Sequence, residues 1–319
     1  MTESAAREST RNIPSLRIKR VNEEPERPER DYVLYWMTAY RRTTYNFALQ
    51  RAVDRATELC KPLIVLEALR VDYPWASDRF HRFILSGMAD NAAAFALSNV
   101  AYYPYIEPER GAGKGLLSAL AAHACAVVTD DFPAFFLPHA TNAAARQLDV
   151  RLEAVDSNGI HALRAPGKAF ATAHAFRRWL QSNIYEDLAA FPLADPLADP
   201  ALVQGGVPDA ITRQWPMANL EPNGVDAMIG ILPINHSVAP VSLRGGTRAA
   251  RARLADFITR LSRYEDERNH PDADGGSGLS PYLHFGHTSS HEVFLAVADA
   301  EEWSVGDISS RRDGGRSGF

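Results

Sequence analysis

The chain has 319 residues, of which 46% are hydrophobic and 23% charged, and its formal net charge at pH 7 is −5. This balance excludes an intrinsically disordered protein, and no apolar run reaches the roughly 20 residues that a transmembrane helix requires. Two cysteines are too few for a disulfide framework, and the negative net charge means that a nucleic-acid partner must bind a local basic patch.

The first 30 residues predict a flexible arm. They combine seven basic and six acidic side chains with three prolines and show almost no apolar periodicity. They also lack the apolar core of a signal peptide. Together with the low cysteine content, this favours a reducing, cytoplasmic location.

Residues 31–180 alternate between strand-like apolar runs and helical patterns. This alternation predicts an α/β domain built on a doubly wound, five-stranded parallel sheet with helices on both faces. In such sheets ligands bind at the carboxyl ends of the strands. The predicted strands are Tyr32–Met37, Leu63–Leu66, Tyr102–Ile106, Ala126–Asp130 and Val150–Val155.

A proline-rich connection follows the α/β domain. Six prolines and a glycine pair between residues 186 and 224 argue against regular elements, so residues 181–240 are assigned to an interdomain linker. Beyond it, Leu254 and Phe257 belong to a helical apolar pattern, and Ser289 and Glu292 have the spacing of a capping box. Residues 241–319 are therefore assigned to a helical domain.

Three motifs with familiar chemistry are given their simpler interpretation. The sequence GAGKG at Gly111–Gly115 lacks the flanking residues of a phosphate-binding loop, which favours a flexible strand-to-helix turn. His287 and His291 are four residues apart, but the glutamate of a zinc-protease motif is missing, so we predict surface or helix-start histidines and no metal.

The third motif is an excess of arginines in residues 242–270, which hold seven arginines and four acids. Arg244, Arg248 and Arg251 would share one face if the predicted helix extended back to Arg244. A solvated helix face is the favoured interpretation, and a face that contacts phosphates is the alternative.

The segment Ser277–Gly286 has the pattern of an anion site. Ser280 followed by Pro281 predicts a helix start, with the serine as N-cap and the proline at the first helical position. The preceding glycines and Ser277 leave backbone N–H groups and a hydroxyl free to converge on an anion there. A plain capped helix remains the alternative.

Several segments resemble the photolyase and cryptochrome flavoproteins, and among them the class II cyclobutane pyrimidine dimer photolyases. The resemblance spans residues 31–319 and is weakest in the proline-rich stretch. Its most specific motifs are DDFPAFFLP at residues 130–138 and LSPYLHFG at residues 279–286, and YVLYWM at residues 32–37 adds to them.

The resemblance implies an N-terminal α/β antenna domain, a C-terminal all-helical FAD-binding domain, and the activity of a deoxyribodipyrimidine photo-lyase, a carbon-carbon lyase. In that family, light-excited reduced FAD passes an electron to a pyrimidine dimer flipped out of DNA, and the dimer splits. An antenna chromophore of the deazaflavin or folate type is a second, optional cofactor. The expected partner is dimer-containing DNA, with no membrane, no metal and a monomeric state.

The motif match also implies a set of FAD contacts, and no catalytic residue is carried over. Arg268 and Asn269 lie in a family segment close to the flavin but receive no role. The FAD contacts that the resemblance implies are Tyr264, Ser277, Gly278, Leu279 and Ser280.

The length departs from the family, whose members continue beyond the equivalent of Phe319. We therefore expect a truncated or split photolyase whose helical domain, residues 241–319, is incomplete. Such a chain alone is expected neither to hold FAD tightly nor to repair dimers. The alternative hypothesis is a noncatalytic pigment- or nucleotide-binding α/β module, or a cryptochrome-like signalling remnant.

Overall fold

The fold is taken from a computed structural model in which residues 12–307 are described, without the side chains of residues 222, 223 and 307. One mixed sheet forms the centre of the N-terminal part, with the strand order β1-β6-β5-β2-β3-β4. The strands β2 to β6 are parallel to one another, and β1 is antiparallel to β6. The strands are β1 (Ile18–Arg20), β2 (Tyr32–Met37), β3 (Leu63–Leu69), β4 (Ala101–Ile106), β5 (Ala124–Asp130) and β6 (Leu152–Val155).

Eleven α-helices lie within the described residues, and none of them has the length and apolarity needed to cross a membrane. Five short 3-10 segments, among them Ser15–Arg17, accompany them. The helices are α1 (Phe47–Glu58), α2 (Asp78–Phe95), α3 (Leu116–Ala121), α4 (Leu137–Ala145), α5 (Ala173–Asn183), α6 (Asp209–Gln214), α7 (Pro222–Ile229), α8 (Thr247–Thr259), α9 (Tyr264–Glu267), α10 (Ser280–His284) and α11 (Ser290–Ala300).

Two apolar clusters cover the two faces of the sheet. On one face Phe47, Leu49 and Val53 of α1 pack against strand residues that include Val33. On the other face α3 and α4 pack against the side chains that point the opposite way. Continuous apolar strands are what a sheet buried on both faces requires, so the prediction of a doubly wound α/β fold is confirmed.

The strand order reverses between β2 and β5, and a buried carboxylate closes the gap between their carboxyl ends. Asp130, the last residue of β5, accepts hydrogen bonds from the backbone N–H groups of Thr38, Ala39 and Tyr40 at 2.6–3.0 Å. It also accepts the hydroxyl of Tyr35 at 2.7 Å. The loop after β2 is thereby fixed at the crevice where sheets of this type bind ligands.

The prediction of a flexible arm is wrong for residues 12–30, because they contain a sixth strand of the sheet. The sequence predicted five strands. Ile18–Arg20 pairs with Val155, Ala154 and Glu153 of β6. Arg17 is fully buried, 3.7 Å from the Asp156 carboxylate, and also donates to the Ile160 carbonyl. A buried ion pair and backbone pairing hold this segment, and neither produces apolar periodicity. Residues 1–11 of the predicted arm lie outside the described residues.

The proline-rich connection contains helices α6 and α7, which the sequence prediction excluded. Pro208 directly precedes α6, and Pro222 is the first residue of α7, where its missing N–H costs no hydrogen bond. The connection also packs onto the sheet domain: Trp215 is buried and donates its indole N–H to the Ala112 carbonyl at 3.0 Å.

The last helices pack against α2 of the α/β domain. Phe83 of α2 contributes to one apolar cluster with residues of α8, α10 and α11, including Leu254, Tyr282 and Val297. Gly286, which follows α10, has φ +72°, and a Cβ there would overlap the Ala39 carbonyl oxygen. The helical part therefore lies directly on the loop after β2.

Candidate functional site

The predicted FAD-contacting loop lies between α9 and α10. Ser277 accepts the Leu279 backbone N–H on its hydroxyl at 3.3 Å, and Gly278 has φ +67°. Leu279 is buried, whereas Ser280 is exposed. The loop thus turns sharply and anchors itself by one leucine, which leaves Gly278 and Ser280 facing outward.

The predicted cap at Ser280 is wrong by one residue. Ser280 is the first residue of α10, the cap position is Leu279, and no side chain makes a capping bond there. The hydroxyl of Ser277 supplies the local turn instead, because it bonds to the backbone two residues on. The Ser280 hydroxyl is therefore not used to cap the helix.

Two arginines of the basic segment hold this loop from outside. Arg253 donates through Nε to the Ser277 carbonyl at 2.8 Å, and Arg260 donates to the Asp274 carbonyl at 2.7 Å. A shallow cavity of about 470 Å³ opens beside them. Its lining residues are Arg253, Asp256, Arg260, Arg263, Glu267, Ala273 and Asp274.

Other arginines of this segment are exposed, as the prediction of a solvated helix face requires, and they also form ion pairs. Arg248 pairs with Asp90 of α2 at 2.5 Å, and Arg251 pairs with Glu292 of α11 at 2.6 Å. Arg244 lies before the start of α8, so it does not share a helix face with them.

Tyr264 lies beside the loop on the same apolar cluster. Its ring meets that of Phe257 edge to face, with centroids 5.2 Å apart, and the Arg268 guanidinium lies 5.4 Å from the ring centroid. Leu279 belongs to the cluster that Tyr264 packs against. The structure therefore brings the five sequence-predicted residues together at one apolar cluster.

A second site is a cavity of about 820 Å³ at the carboxyl ends of β2, β3 and β4. Its walls are mainly aromatic and aliphatic, and they include Trp36, Trp75 and Phe132. Arg41, Arg70 and Lys114 bring positive charge to the lining, and Arg70 is paired with Asp72 at 2.6 Å. The sequence predicts a ligand at this edge of the sheet, although no local pattern assigns these residues to it.

Arg41 is held in the cavity wall by a buried carboxylate. Glu67 of β3 is fully buried. Its carboxylate accepts hydrogen bonds from the side chains of Arg41 at 2.9 Å, Asn91 at 2.9 Å and Tyr102 at 2.7 Å. Burial, and next the Glu67 charge, raise the pKa of Tyr102 well above its usual value. The tyrosine therefore stays a hydrogen-bond donor, and the guanidinium is fixed before any ligand arrives.

The glycine turn GAGKG lies at the rim of this cavity and is a strand-to-helix turn, as predicted. Glu107 accepts the N–H groups of Gly111 at 3.0 Å and Gly113 at 3.3 Å. A carboxylate thus already occupies the amide groups that a phosphate would need. Lys114, by contrast, lines the cavity.

Helix α10 connects the two sites. Its first residue, Ser280, follows the predicted FAD loop, and its last residue, His284, lines the 820 Å³ cavity together with Phe285. Phe135, whose φ is +60°, meets the His284 ring edge to face with centroids 5.5 Å apart. Five helical residues span about 7.5 Å, so the two sites are close neighbours.

The two histidines predicted to lie on the surface or at a helix start are both buried, and His291 does lie in the first turn of α11. His287 accepts the Gly246 N–H on Nδ1 at 2.9 Å, and burial lowers its pKa to about 3. His291 lies between Phe47 and Phe191, and burial lowers its pKa well below the usual value. Within residues 12–307 no group of three or more His, Cys, Asp or Glu side chains is arranged to hold a metal ion.

Comparison with known proteins gives relatives along most of the chain, although no family model matches it. The chain is 28% identical over 294 residues to the deoxyribodipyrimidine photo-lyase of Methanothermobacter thermautotrophicus, covering 91% of this chain and 61% of that protein. It is 29% identical over 283 residues to the protein of the same name from Oryza sativa subsp. japonica, covering 82% and 52%.

A solved structure agrees with these relatives in fold. A bacterial class III photolyase from Agrobacterium tumefaciens superimposes with a TM-score of 0.55 at 19% identity, over 88% of this chain and 55% of that one. The chain thus spans between half and about three fifths of the length of these proteins.

Proposed function

We propose that this chain belongs to the photolyase/cryptochrome family, and that it supplies the antenna domain and part of the FAD-binding domain of a light-driven DNA repair enzyme. The reaction is the splitting of cyclobutane pyrimidine dimers, a carbon-carbon lyase activity. Within the family we propose class II, on the motifs DDFPAFFLP and LSPYLHFG. The observation that carries the proposal is the loop at Ser277–Ser280, held by Arg253 beside Tyr264.

The loop residues suit the diphosphate of FAD. Gly278 and Ser280 are exposed, and the Ser280 hydroxyl makes no capping bond. Arg253 and Arg260 bond the carbonyl groups of the loop, and both also pair with Asp256 at 3.0 Å. An anion at this position gains the Ser280 hydroxyl as a donor without displacing a hydrogen bond that the fold needs.

Each predicted FAD contact has a distinct part in this arrangement. When bound and reduced, FAD supplies the electron that light drives onto the dimer. Leu279 anchors the loop in the apolar cluster, and Ser277 fixes its turn. Gly278, at φ +67°, allows the Arg253 guanidinium to lie against the loop backbone where a Cβ would overlap it, and Tyr264 provides an aromatic wall beside the loop.

We assign the 820 Å³ cavity to an antenna chromophore of the deazaflavin or folate type. Its volume falls in the range of roughly 300–1,000 Å³ that is usual for small-molecule pockets. Aromatic walls suit a planar ring system, and Arg41 and Lys114 suit negatively charged substituents.

This cavity also supports the second candidate function, a noncatalytic pigment-binding module. The lining residues come mainly from the α/β domain, and only His284 and Phe285 come from the helical part. Pigment binding would therefore stand even if the FAD assignment failed.

The test of the FAD assignment is a titration of the purified chain with FAD, followed by flavin fluorescence. We expect weak, saturable binding that Ser280→Ala weakens about tenfold, since one hydrogen bond to a charged group is lost. The thermal midpoint should stay unchanged because this hydroxyl is exposed and caps nothing.

The matched control for this titration is Ser262→Ala, which removes an exposed hydroxyl from the segment before Tyr264. Equal FAD affinity for the two variants would show that the loop does not hold the diphosphate. Light-dependent loss of dimers from irradiated DNA, measured with FAD and the antenna pigment present, tests the repair activity separately.

A further inference from the structure

Helix α5 and the loop before it form an exposed surface with an unusual charge. The sequence has no Asp or Glu between Asp156 and Glu186, whereas the chain as a whole is acidic. The four charged residues in this interval are all basic: Arg164, Lys168, Arg177 and Arg178. None of the residues of α5 is buried.

Aromatic rings lie together on this surface. Phe170 contacts Phe176 and Trp179, with ring centroids 5.4 and 5.5 Å apart. Phe176 and Trp179 lie one helical turn apart and are close to parallel, at 24° and 6.2 Å. Phe176 remains 39% exposed, so one end of the row of rings is open to solvent.

Basic side chains lie on both sides of these rings. The Lys168 ammonium lies 5.4 Å from the Phe170 ring centroid. Arg177 and Arg178 are exposed, and a rotation of about 100° per helical residue places Arg177 about 100° around the helix from Phe176 on one side of the row and Arg178 about 100° from Trp179 on the other side. In the described part of the chain neither arginine takes part in an ion pair, so their charges are available to a partner.

We propose that this α5 surface, defined by Lys168, Phe170, Phe176, Arg177, Arg178 and Trp179, binds single-stranded DNA. Open aromatic rings stack with unpaired bases of any sequence, and flanking cations neutralise the phosphates. The bases of a duplex are stacked on one another, so none of them is available to stack on these aromatic rings. The inference goes beyond the proposed function, since it involves neither flavin, pigment nor a dimer.

The test measures fluorescence anisotropy of a labelled, unirradiated dT12 oligonucleotide with the whole chain in the dark. The double variant Arg177→Gln/Arg178→Gln should reduce the slope of log affinity against log salt by about 1.4, since each phosphate contact of a single strand contributes about 0.7. The control Arg146→Gln/Arg213→Gln removes two exposed arginines elsewhere and should leave the slope unchanged.

A second variant tests base stacking. Phe176→Ala should weaken dT12 binding about tenfold, because stacking of a base on an aromatic ring is lost. Leu97→Ala, which shortens an apolar side chain that is 91% exposed, should have no effect. Circular dichroism should show unchanged helix content in the arginine variant, because no residue of α5 is buried.

Four results would overturn the proposal. The first is a lack of dT12 binding by the unmodified chain, and the second is equal binding by the α5 variants and their controls. The third is equally tight binding of the matching duplex. The fourth is tighter binding of a twelve-residue oligoglutamate, which would assign the surface to an acidic protein instead. None of these outcomes depends on FAD, so failure here leaves the proposed repair function untouched.

Discussion

Gly286 lies where the helical part meets the loop after β2. The Arg42 side chain, which is buried, donates to the Gly286 carbonyl at 3.3 Å and to the Ser157 carbonyl at 3.1 Å. This guanidinium therefore joins the chain after α10 to the end of β6. One glycine and one arginine thus connect parts of the chain more than 100 residues apart.

We predict that Gly286→Ala lowers the free energy of unfolding by at least about 2 kcal/mol, at the upper end of ordinary substitutions. The added Cβ would overlap the Ala39 carbonyl oxygen, and the positive φ disfavours any other residue. Urea denaturation measures the change. Gly206→Ala is the control, since a Cβ at that position meets no atom within 4 Å. Equal midpoints for the two variants would contradict this account of Gly286.

Candidate site residues could be proposed from the sequence only where a local pattern or a family motif exists. Ser277 to Ser280 follow from a glycine-rich loop before a proline, and the structure places them beside Tyr264 as one region. Arg253 and Glu67 were not singled out, because their roles depend on residues 24 and 35 positions away in sequence. No local spacing records such contacts.

At the scale of elements, two buried, neutral histidines lie in α11 and in the segment before it. His287 and His291 each have an Nε2 atom that is buried without a hydrogen-bond partner. Arg41 and Arg42 lie near the ring of His287, and their charges lower its pKa further. Protonation would place an additional cation among arginines, so the folded state requires both rings to be neutral.

Stability should therefore fall on acidification. The unfolded chain takes up protons on these histidines below about pH 6.5, whereas the folded pKa of His287 is about 3. Their contribution is complete above pH 6.5 and is lost as the pH falls, by about 1.4 kcal/mol per pH unit for each histidine. Urea unfolding between pH 7.5 and 5 measures this slope.

The variant His291→Gln should make that slope clearly shallower, because one of the two buried titrating groups is gone. His139→Gln, at an exposed position, serves as its control and should keep the original slope. A stability that does not change between pH 7.5 and 5 would contradict the buried neutral state.

Long elements could be predicted from sequence, and short ones could not. The strands β2, β3 and β5 carry long apolar runs, which indicate a sheet buried on both faces. Strand β1 has three residues, two of them charged and exposed, and it exists only because β6 offers it a partner. Helices α6 and α7 were missed because their prolines were interpreted as breaks and not as helix starts.

At the scale of the whole molecule, the proline-rich connection belongs to the sheet domain by its packing. Leu202 joins the apolar cluster on one face, and Trp215 joins the cluster on the other. The Tyr103 hydroxyl also donates to the Trp215 carbonyl. These contacts favour a larger folding unit than the predicted domain of residues 31–180.

We predict that a fragment of residues 12–240 melts cooperatively and at a higher temperature than one of residues 31–180. The longer fragment keeps β1 and the buried Trp215, and loss of a buried tryptophan costs about 3–5 kcal/mol. Differential scanning calorimetry compares the two. Trp215→Ala in the longer fragment should remove much of the difference, and equal midpoints for the two unmodified fragments would support the smaller domain.

The two borders of the sheet bear on how the protein resists aggregation. At one border β1 is only three residues long and exposes Lys19 and Arg20. At the other, Pro104 in β4 has no N–H to donate, and its carbonyl already accepts the Ala218 N–H at 2.9 Å. In natural proteins, short charged edge strands and prolines prevent the edge of a sheet from hydrogen-bonding to a strand of another molecule. Loss of β1 would expose β6, a strand buried along its whole length, to edge-to-edge pairing between molecules.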